Sequence, residues 1–259
     1  MLDRRGALLW LGGMSGVGKT TAARAIARRY DLHLYSLDSR TYAHAEEMAN
    51  PALTVTADEL WLERTPEQMA DDFEDEARRR LPLVLSDVAE LPDDGAPVLV
   101  EGPQLLPELV DQSSLFVVAQ PLLQRELLAA RGSFTYSRTR DSERALANRQ
   151  RRDVILAERI RARAPVVEVA HVSETEPAVE AAFRRHVDAW LSLSDHGDVA
   201  SRRRAENDRR FDQWRRYADR EPRALGGVLD FACECDRPGC IETVQVRLED
   251  AGRRPLLAH

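Results

Sequence analysis

The feature that most constrains the fold is the octapeptide Gly-Met-Ser-Gly-Val-Gly-Lys-Thr at residues 13–20. It fits the pattern G-x-x-x-x-G-K-[ST] without a mismatch. The apolar run 7–12 before it predicts a buried parallel strand, and residues 18–30 after it predict a helix. A glycine-rich turn between strand and helix predicts a phosphate cradle, because its backbone N–H groups face an anion at the positive end of the helix.

Lys19 is the one lysine among 37 basic residues, the rest being arginine. A compact ammonium on a flexible stem can bridge β- and γ-phosphate oxygens, where a planar guanidinium fits poorly. We expect Thr20 to offer its hydroxyl to Mg²⁺ and Thr21 to reach the α-phosphate. ATP or a similar nucleotide is therefore the predicted ligand. The predicted cradle comprises Gly13, Ser15, Gly16, Val17, Gly18, Lys19, Thr20 and Thr21.

The single lysine also argues against two classes of nucleotide-binding protein. A Ras-like GTPase reads guanine through an Asn-Lys-x-Asp motif, which needs a second lysine. A protein kinase carries its lysine on a strand rather than in a glycine loop.

Short apolar runs alternate with helical patterns up to about residue 193. The runs that predict strands are 7–12, 32–38, 97–102, 114–120 and 165–170. Such alternation predicts an α/β fold with a doubly wound parallel sheet of five strands. Two long helices are expected at 66–91, with a kink at Pro82, and from about 142 to 164. The helical spacing around Asp87 excludes it as the end of a metal-binding strand.

A boundary is expected at 194–198, where the sequence reads Ser-Asp-His-Gly-Asp. It would divide the chain into a phosphate-binding domain, 1–195, with a lid around 131–153, and a C-terminal unit, 196–259. That unit begins with an arginine-rich helix, 199–219, whose arginine run we expect to be a solvated face. Its apolar stripe is marked by Phe211, Trp214 and Ala218, and a small β unit follows.

Polar residues at the ends of the predicted strands are candidates for catalysis. Asp38 closes the second strand, where it could accept a proton from a substrate hydroxyl or help to hold Mg²⁺. Its alternative role is that of a helix cap or turn residue. Arg40 could clamp a substrate or be a surface arginine. Glu101 ends the third strand, where aspartate is usual, and could act through a metal-bound water or touch the substrate.

Of the seven arginines in the segment 131–153, six are candidates to stabilise charge on a transferring phosphoryl group. They are Arg131, Arg138, Arg140, Arg144, Arg149 and Arg152. Several of them must be ordinary surface residues. Arg149 and Arg152 share a helix face, and together with Arg144 they are the predicted catalytic arginines.

The motifs "GGMSGVGKTT", "YSLDSR", "VLVEGPQLLP" and "NRQRRD", in this order, resemble the P-loop small-molecule kinases. These include adenylate, shikimate and gluconate kinases, and especially the chloramphenicol phosphotransferase-like group. The resemblance covers roughly residues 5–193. It implies the strand order 2-3-1-4-5, an arginine-bearing lid, and transfer of phosphate from ATP to a hydroxyl, with Asp38 as base.

The same resemblance implies two further placements. Gly102 and the residues up to Leu106 would line the acceptor pocket, and the segment 170–176 would lie near the adenine. The acceptor would be a small molecule, such as a metabolite, a nucleoside or an antibiotic. No substrate family is matched well enough to name it.

Three cysteines cluster near the chain end: Cys233, Cys235 and Cys240. Strand alternation would place Cys233 and Cys235 on one face. Three thiols fit a structural Zn²⁺ site lacking one ligand, for which His259 is the first candidate and His196 a weaker one. Buried free cysteines or an adventitious disulfide are the alternative.

The net charge of −7 argues against general nucleic-acid binding, so no nucleic-acid partner is expected. No apolar run approaches the roughly 18 residues of a membrane span, and no signal peptide is recognised, which favours a cytoplasmic protein. Besides a small-molecule kinase, two functions stay open: a nucleotide-binding regulator whose C-terminal unit binds a partner, and a kinase toxin that modifies a sugar nucleotide. The oligomeric state is also open.

Overall fold

The computed structural model describes residues 7–50, 55–110, 113–130, 138–193, 197–220, 227–250 and 255–258. Five parallel strands form the central sheet. They are β1 (Leu8–Gly13), β2 (His33–Ser36), β3 (Val98–Glu101), β4 (Ser114–Ala119) and β5 (Val167–Val169). Their order is β2-β3-β1-β4-β5, which confirms the predicted order. In register, Leu9 lies beside Leu99 and Leu11 beside Leu115.

Eight helices accompany the strands in the described part of the chain. They are α1 (Lys19–Arg29), α2 (Thr41–Glu47), α3 (Ala57–Trp61), α4 (Pro66–Ala89), α5 (Pro121–Ala130), α6 (Ser142–Arg163), α7 (Thr175–Leu191) and α8 (Val199–Arg220). Among them, no helix is both long and apolar enough to cross a bilayer.

Alternate residues of β1 face opposite sides of the sheet, so the sheet has two apolar layers. On one side Leu9 and Leu11 pack with Ile26 of α1 and Phe183 of α7. On the other side Trp10 packs with Val84 of α4. The sheet is therefore buried on both faces, as its near-continuous apolar strands predict.

One predicted element differs in detail, and the helical position predicted for Asp87 is confirmed. The second strand ends at Ser36, two residues before Asp38, and Leu37–Arg40 forms a 3-10 turn. This turn makes Asp38 a turn residue rather than the last residue of the strand. Helix α4 starts from the Thr65 capping box and continues through Pro82 to Ala89, so Asp87 does lie on a helix.

Helix α8 packs against β2, the 3-10 turn and α2. Its arginine run is not a solvated face, which corrects the expectation from sequence. Arg202 donates to Asp94 at 2.8 Å and to the Asp31 carbonyl at 2.9 Å. Arg203 donates to the Asp31 carboxylate at 2.7 Å and to the Cys235 carbonyl at 2.8 Å. The two guanidinium groups are buried because they satisfy acceptors on α1's C-terminal side and on the cysteine segment.

The C-terminal part ends in an antiparallel pair, β6 (Val228–Ala232) and β7 (Thr243–Arg247). Phe231, Val246 and Leu256 form its apolar cluster, and Phe211 of α8 packs on it. This arrangement confirms the predicted small β unit.

Candidate active site

The glycine loop between β1 and α1 has a backbone that side chains would disturb. Gly13, Gly16 and Gly18 have φ angles of 109°, 90° and 88°, in the left-handed region. A Cβ at Gly13 would lie 2.1 Å from the carbonyl oxygen of Val117, so no larger residue fits there. Lys19, the first residue of α1, is buried, and its Nζ donates to the Met14 carbonyl at 2.6 Å. The loop therefore wraps around the ammonium.

A cavity of about 280 Å³ lies at the start of α1. Its lining residues are Ser15, Gly16, Gly18, Lys19, Thr20, Thr21, Asp38, Glu101 and Pro103. Six of the eight predicted cradle residues line it, and Gly13 and Val17 are buried outside this lining. The cavity brings the cradle together with Asp38 and Glu101, which come from β2's turn and the end of β3. Backbone N–H groups at a helix N-terminus make it suited to an anion.

Glu101 connects three elements at the floor of this cavity. Its side chain is buried and accepts hydrogen bonds from the hydroxyls of Thr20, at 3.1 Å, and Ser36. Burial raises its pKa, and the charge of Asp38 adds to the rise, while the hydrogen bond from Ser36 and the charge of Lys19 oppose it. A further positive charge beside this carboxylate would act against the rise, because an opposite charge favours the ionised form.

The oxygens of Thr20 and Glu101 fit a magnesium ion. Mg²⁺ takes an octahedron of hard oxygen ligands, whose neighbouring oxygens lie about 2.9 Å apart when each is near 2.05 Å from the metal. The 3.1 Å between Thr20 Oγ1 and Glu101 Oε2 is close to that spacing. These two residues would hold the ion, and its charge would offset the burial cost of the Glu101 carboxylate.

Asp38 is exposed, and its carboxylate borders two cavities. Within the described residues it makes no side-chain hydrogen bond. A carboxylate without such a hydrogen bond, at the edge of a cavity suited to an anion, can accept a proton from a ligand.

A buried polar network, which the sequence analysis missed, underlies the turn that carries Asp38. Asp87 accepts hydrogen bonds from the Tyr35 hydroxyl at 2.5 Å, from Arg40 Nε at 2.9 Å and from His44 Nε2 at 2.9 Å. Burial opposes the ionisation of Asp87, but these bonds outweigh burial and lower its pKa. Arg40, the predicted substrate clamp, thus has a partner on α4 and a second one, Asp212, at 3.5 Å.

Arg80 completes this network. Its Nε donates to His44 Nδ1 at 3.0 Å, so Nε2 is the ring nitrogen that faces Asp87 as a donor. Its other end donates to the carbonyl of Leu37, the residue before Asp38. Tyr35, Leu37, Arg40 and His44 are thereby tied to α4, so the network fixes the turn. The partners lie far apart in sequence, and the sequence carried no signal for them.

The three predicted catalytic arginines occupy different positions on α6. Arg152 lines a narrow cavity that also touches Met14 and Ser15 of the glycine loop. It donates to Asp153 at 2.6 Å, and Arg149 donates to the same carboxylate at 3.1 Å. Arg144 is exposed and donates to the Leu62 carbonyl at 3.4 Å. Arg152 is thus placed beside the glycine loop, whereas Arg144 contacts the end of α3.

The other lid arginines fall outside this neighbourhood. Arg138 and Arg140 are described, and Arg140 pairs with Asp58 at 3.5 Å. Arg131 lies outside the described residues.

The segment 170–176 packs against the glycine loop. The Thr175 hydroxyl donates to the Val17 carbonyl at 2.5 Å. A Cβ on Gly18 would lie 2.7 Å from Val172 Cγ1. The predicted adenine-side segment is therefore in contact with the cradle. Gly102, predicted for the acceptor pocket, is buried against Leu37, and Pro103 after it reaches the cavity.

Besides the 280 Å³ cavity at the glycine loop, hereafter the phosphate cavity, two larger cavities are lined by described residues. One, of about 350 Å³, is lined by Thr20, Asp38 and residues of α8. The other, of about 440 Å³, lies among α3, α4 and α6, and Arg152 borders it. From the sequence, Trp214 was predicted to belong to an apolar stripe with Phe211 and Ala218, and nothing in the sequence indicated that it borders a cavity.

The sulfur atoms of Cys233, Cys235 and Cys240 lie within 4.8 Å of one another, and all three thiols are free. In a tetrahedral Zn²⁺ site the sulfurs would be about 3.8 Å apart, given Zn–S bonds near 2.3 Å. Strand β6 ends at Ala232, so a loop, not strand alternation, brings the cysteines together. The ligand candidates His196 and His259 lie outside the described residues.

Two sulfur atoms of this cluster accept hydrogen bonds. Arg203 donates to Cys235 Sγ at 3.3 Å, and the Ala258 N–H donates to Cys233 Sγ at 3.4 Å. Burial raises the pKa of Cys235, but the backbone N–H of Arg237 and the other donors outweigh it, so the pKa is lowered. Burial raises the pKa of Cys240. The donor set fits a cysteine-ligated metal with supporting N–H···S bonds.

Comparison with protein-family models finds no match, and no curated protein matches in sequence. Among solved structures, the chain is similar to shikimate kinase from Bacteroides thetaiotaomicron, with a TM-score of 0.39 and 17% identity over 72% of this chain and 99% of that one. It is also similar to an uncharacterized protein from Eubacterium ventriosum, with a TM-score of 0.34 and 13% identity over 71% and 98% of the two chains. The α/β fold of this protein, a five-stranded parallel sheet with a glycine loop after β1, is established by its own strand order and loop geometry.

Proposed function

We propose that this protein is an ATP-dependent phosphotransferase that moves the γ-phosphate of ATP to a hydroxyl of a small molecule. The observation that carries the proposal is the 280 Å³ cavity, which joins the glycine loop and Lys19 to the Thr20–Glu101 oxygen pair and to Asp38. A phosphate cradle alone would fit any nucleotide-binding protein. A free carboxylate beside it supplies the group that a transfer to an alcohol needs.

In this proposal the loop N–H groups and the Lys19 ammonium hold the β- and γ-phosphates. Bound Mg²⁺ would neutralise charge on those oxygens from the side of Thr20 and Glu101. The acceptor hydroxyl gives its proton to the Asp38 carboxylate as its oxygen bonds to the γ-phosphorus. The bond between that phosphorus and the β–γ bridging oxygen breaks, so ADP, the phosphorylated acceptor and one proton are the products.

The three arginines of α6 lie at different positions relative to the glycine loop, so their proposed roles differ. Arg152 lies beside Met14 and Ser15, so it is the best placed to approach the transferring phosphoryl group. Its present partner, Asp153, also holds Arg149, so the two arginines form one unit with that carboxylate. Arg144 would contact the transferring phosphoryl group only if α6 moved toward the glycine loop.

The test of the proposed function is acceptor-dependent ADP release, compared between the parent and Asp38→Asn. The variant is expected to bind Mg-ATP with the parent's affinity and to transfer phosphate at least 100-fold more slowly, because it lacks the proton acceptor. Equal transfer rates would overturn the assignment of Asp38. Binding of Mg-ATP with no acceptor-dependent turnover across metabolites, nucleosides and antibiotics would favour the regulatory alternative.

We also propose that the three-cysteine cluster holds a structural Zn²⁺, with His259 as its predicted fourth ligand. The supports are the mutual proximity of the sulfurs and the N–H groups directed at them. Elemental analysis of the purified protein should find about one zinc per chain. It should find almost none in Cys235→Ser, and no zinc in the parent would contradict the proposal.

The division of the chain at residues 194–198 is likewise a proposal. Because Arg202 and Arg203 make buried contacts with Asp31, we expect α8 to stabilise the sheet domain rather than to fold independently of it. A fragment ending at residue 195 should therefore unfold at lower temperature than the whole chain.

A further inference from the structure

Helix α8 builds a cavity that opens on the proposed site of transfer. The 350 Å³ cavity has Thr20 and Asp38 in its wall, and both residues also line the phosphate cavity. Its remaining wall comes from α1, β2, α2 and α8. The lining residues outside the shared pair are Arg24, Leu34, Ser36, Ser39, Tyr42, Glu206, Arg209, Arg210, Gln213, Trp214 and Tyr217. Asp38 therefore lies between the phosphate cavity and this cavity.

One side of this cavity is aromatic. Tyr42 and Tyr217 stack with their ring centroids 6.1 Å apart and an interplanar angle of 17°. Trp214 meets Tyr217 edge to face at 5.5 Å. The backbone N–H of Tyr42 donates to the Gln213 side chain at 3.1 Å, which ties α2 to α8 at this point. Rigid aromatic faces of this kind bind a flat ring at low entropic cost.

The other side of the cavity is cationic. Arg24, Arg209 and Arg210 line it, and none of the three forms an ion pair with a carboxylate in the described part of the chain. Arg209 donates to the Leu34 carbonyl at 2.8 Å, and Arg210 lies over the Phe231 ring at 5.5 Å. The acidic residue of this wall nearest to them in sequence, Glu206, is paired with Arg28 at 3.4 Å.

The Arg210 guanidinium is partly withdrawn from water in this wall. Burial lowers the pKa of Arg210 to about 10, the charges of Arg24 and Arg28 act in the same direction, and the charges of Glu206 and Asp230 oppose them. A bound anion would reverse that effect, because an opposite charge close by favours the protonated guanidinium. Guanidinium groups also bind carboxylate and phosphate through paired N–H donors.

The 440 Å³ cavity is the competing place for an acceptor. It shares no lining residue with the phosphate cavity, and it mixes arginines with Asp72, Asp75 and Glu76. An acceptor bound there would not touch Asp38. The 350 Å³ cavity has the residue that a proton transfer needs, and its volume is in the range of small-molecule sites rather than of macromolecular grooves.

We propose that the 350 Å³ cavity is the acceptor pocket. The acceptor would be a small molecule with a planar ring, an anionic group and a hydroxyl. The ring lies against Tyr42, Trp214 and Tyr217, the anion faces Arg24 and Arg210, and the hydroxyl reaches Asp38. This inference rests on the proposed phosphotransferase function. Nucleoside monophosphates and hydroxylated aromatic carboxylates share this chemistry.

The test measures ligand binding to the full-length protein saturated with Mg-ADP, so that the glycine loop is already filled. The probes are a panel of nucleoside 5′-monophosphates and hydroxybenzoates, each with its neutral counterpart, the nucleoside or the hydroxybenzyl alcohol. Tryptophan fluorescence reports binding, and Trp214→Phe identifies the part of the signal that comes from the pocket. The two arms of the panel separate the two sources of the anion.

At least one anionic probe should bind tenfold or more tightly than its neutral counterpart. Arg210→Gln should weaken that probe at least tenfold while leaving Mg-ADP affinity unchanged. The matched control is Arg79→Gln, an exposed arginine of the 440 Å³ cavity, which should change the affinity less than twofold. Thermal melting with Mg-ADP checks that both variants fold.

The inference is overturned if neutral and anionic probes bind alike, if Arg79→Gln weakens binding and Arg210→Gln does not, or if no anionic probe binds to the Mg-ADP complex. In each of these cases Mg-ADP still binds, so the nucleotide site stands and only the acceptor pocket fails. Absence of Mg-ADP binding would instead overturn the proposed function itself.

Discussion

Replacement of Asp87 by asparagine tests whether the buried network holds the turn that carries Asp38. Asp87 accepts three hydrogen bonds, from Tyr35, Arg40 and His44. All three donors reach the same oxygen, Asp87 Oδ2. An amide oxygen can occupy that position, so the substitution keeps an acceptor but removes the negative charge that strengthens the three bonds and faces Arg40.

The magnitude follows from these contacts. Hydrogen bonds that involve a charged group contribute about 1.5–3 kcal/mol each, against about 0.5–1.5 kcal/mol for neutral ones, so each of the three bonds should lose about 1 kcal/mol. We expect Asp87→Asn to lower the free energy of unfolding by about 2–4 kcal/mol at pH 7. The matched control is Asp212→Asn, whose carboxylate pairs with Arg40 and Arg216 but is 38% exposed. A partly solvated pair of this kind contributes about 1 kcal/mol or less.

The pH dependence has a definite sign. The pKa of Asp87 is lowered in the folded protein, so its stabilisation is present above its unfolded pKa of about 3.9 and is lost as the pH falls toward the folded pKa. The gap in stability between parent and Asp87→Asn should thus be full at pH 7 and shrink below about pH 4.

Urea unfolding at pH 7 and at pH 3.5 measures both effects. The reasoning is refuted if Asp87→Asn costs no more than Asp212→Asn, or if the gap widens on acidification. In the folded variant, phosphate transfer should fall while Mg-ATP affinity holds, because the network positions the proton acceptor rather than the cradle. A parallel loss of both would point to general unfolding.

Two other substitutions have defined outcomes. Glu101→Gln should weaken Mg²⁺-dependent nucleotide binding about tenfold or more while metal-free binding changes little, which calorimetry with and without Mg²⁺ measures; equal loss in both conditions would contradict the metal role. Arg203→Met should cost about 3–5 kcal/mol in urea unfolding, because it leaves the buried carboxylate of Asp31 without its guanidinium partner. Arg204→Met is its control, since Arg204 is half-exposed and lies 4.0 Å from Glu234. If Arg204→Met lost as much stability as Arg203→Met, the loss would follow from removing one positive charge and not from the burial of the ion pair.

The sequence predicted the features that are local or repetitive. The glycine loop is a continuous motif with strict backbone needs, and short apolar runs between helical patterns define a parallel sheet. The strand order followed from resemblance and is confirmed. The end of the second strand was placed two residues too late, because "YSLD" continues an alternating pattern that the 3-10 turn interrupts at Leu37.

What the sequence missed depends on partners that are distant along the chain. In the sequence, Arg203 belongs to an arginine run that predicts a solvated helix face. Its partner Asp31 lies 172 residues away, so no local pattern predicts their ion pair. Asp87 and Tyr35 are 52 residues apart, and neither carries a motif. The 350 Å³ cavity proposed as the acceptor pocket needs α8 to lie on β2, a contact that no periodicity predicts. The residues proposed for catalysis were named from sequence, whereas the contacts that position them came from the structure.

The central claim is that a nucleoside triphosphate binds in the loop between β1 and α1, held by backbone N–H groups and by Lys19. Calorimetric titration of Mg-ATP into the full-length protein and into Lys19→Ala tests it most directly. The account predicts one site per chain in the parent and at least a tenfold loss of affinity in the variant. Absence of heat in the parent, or equal affinity in both proteins, would contradict it.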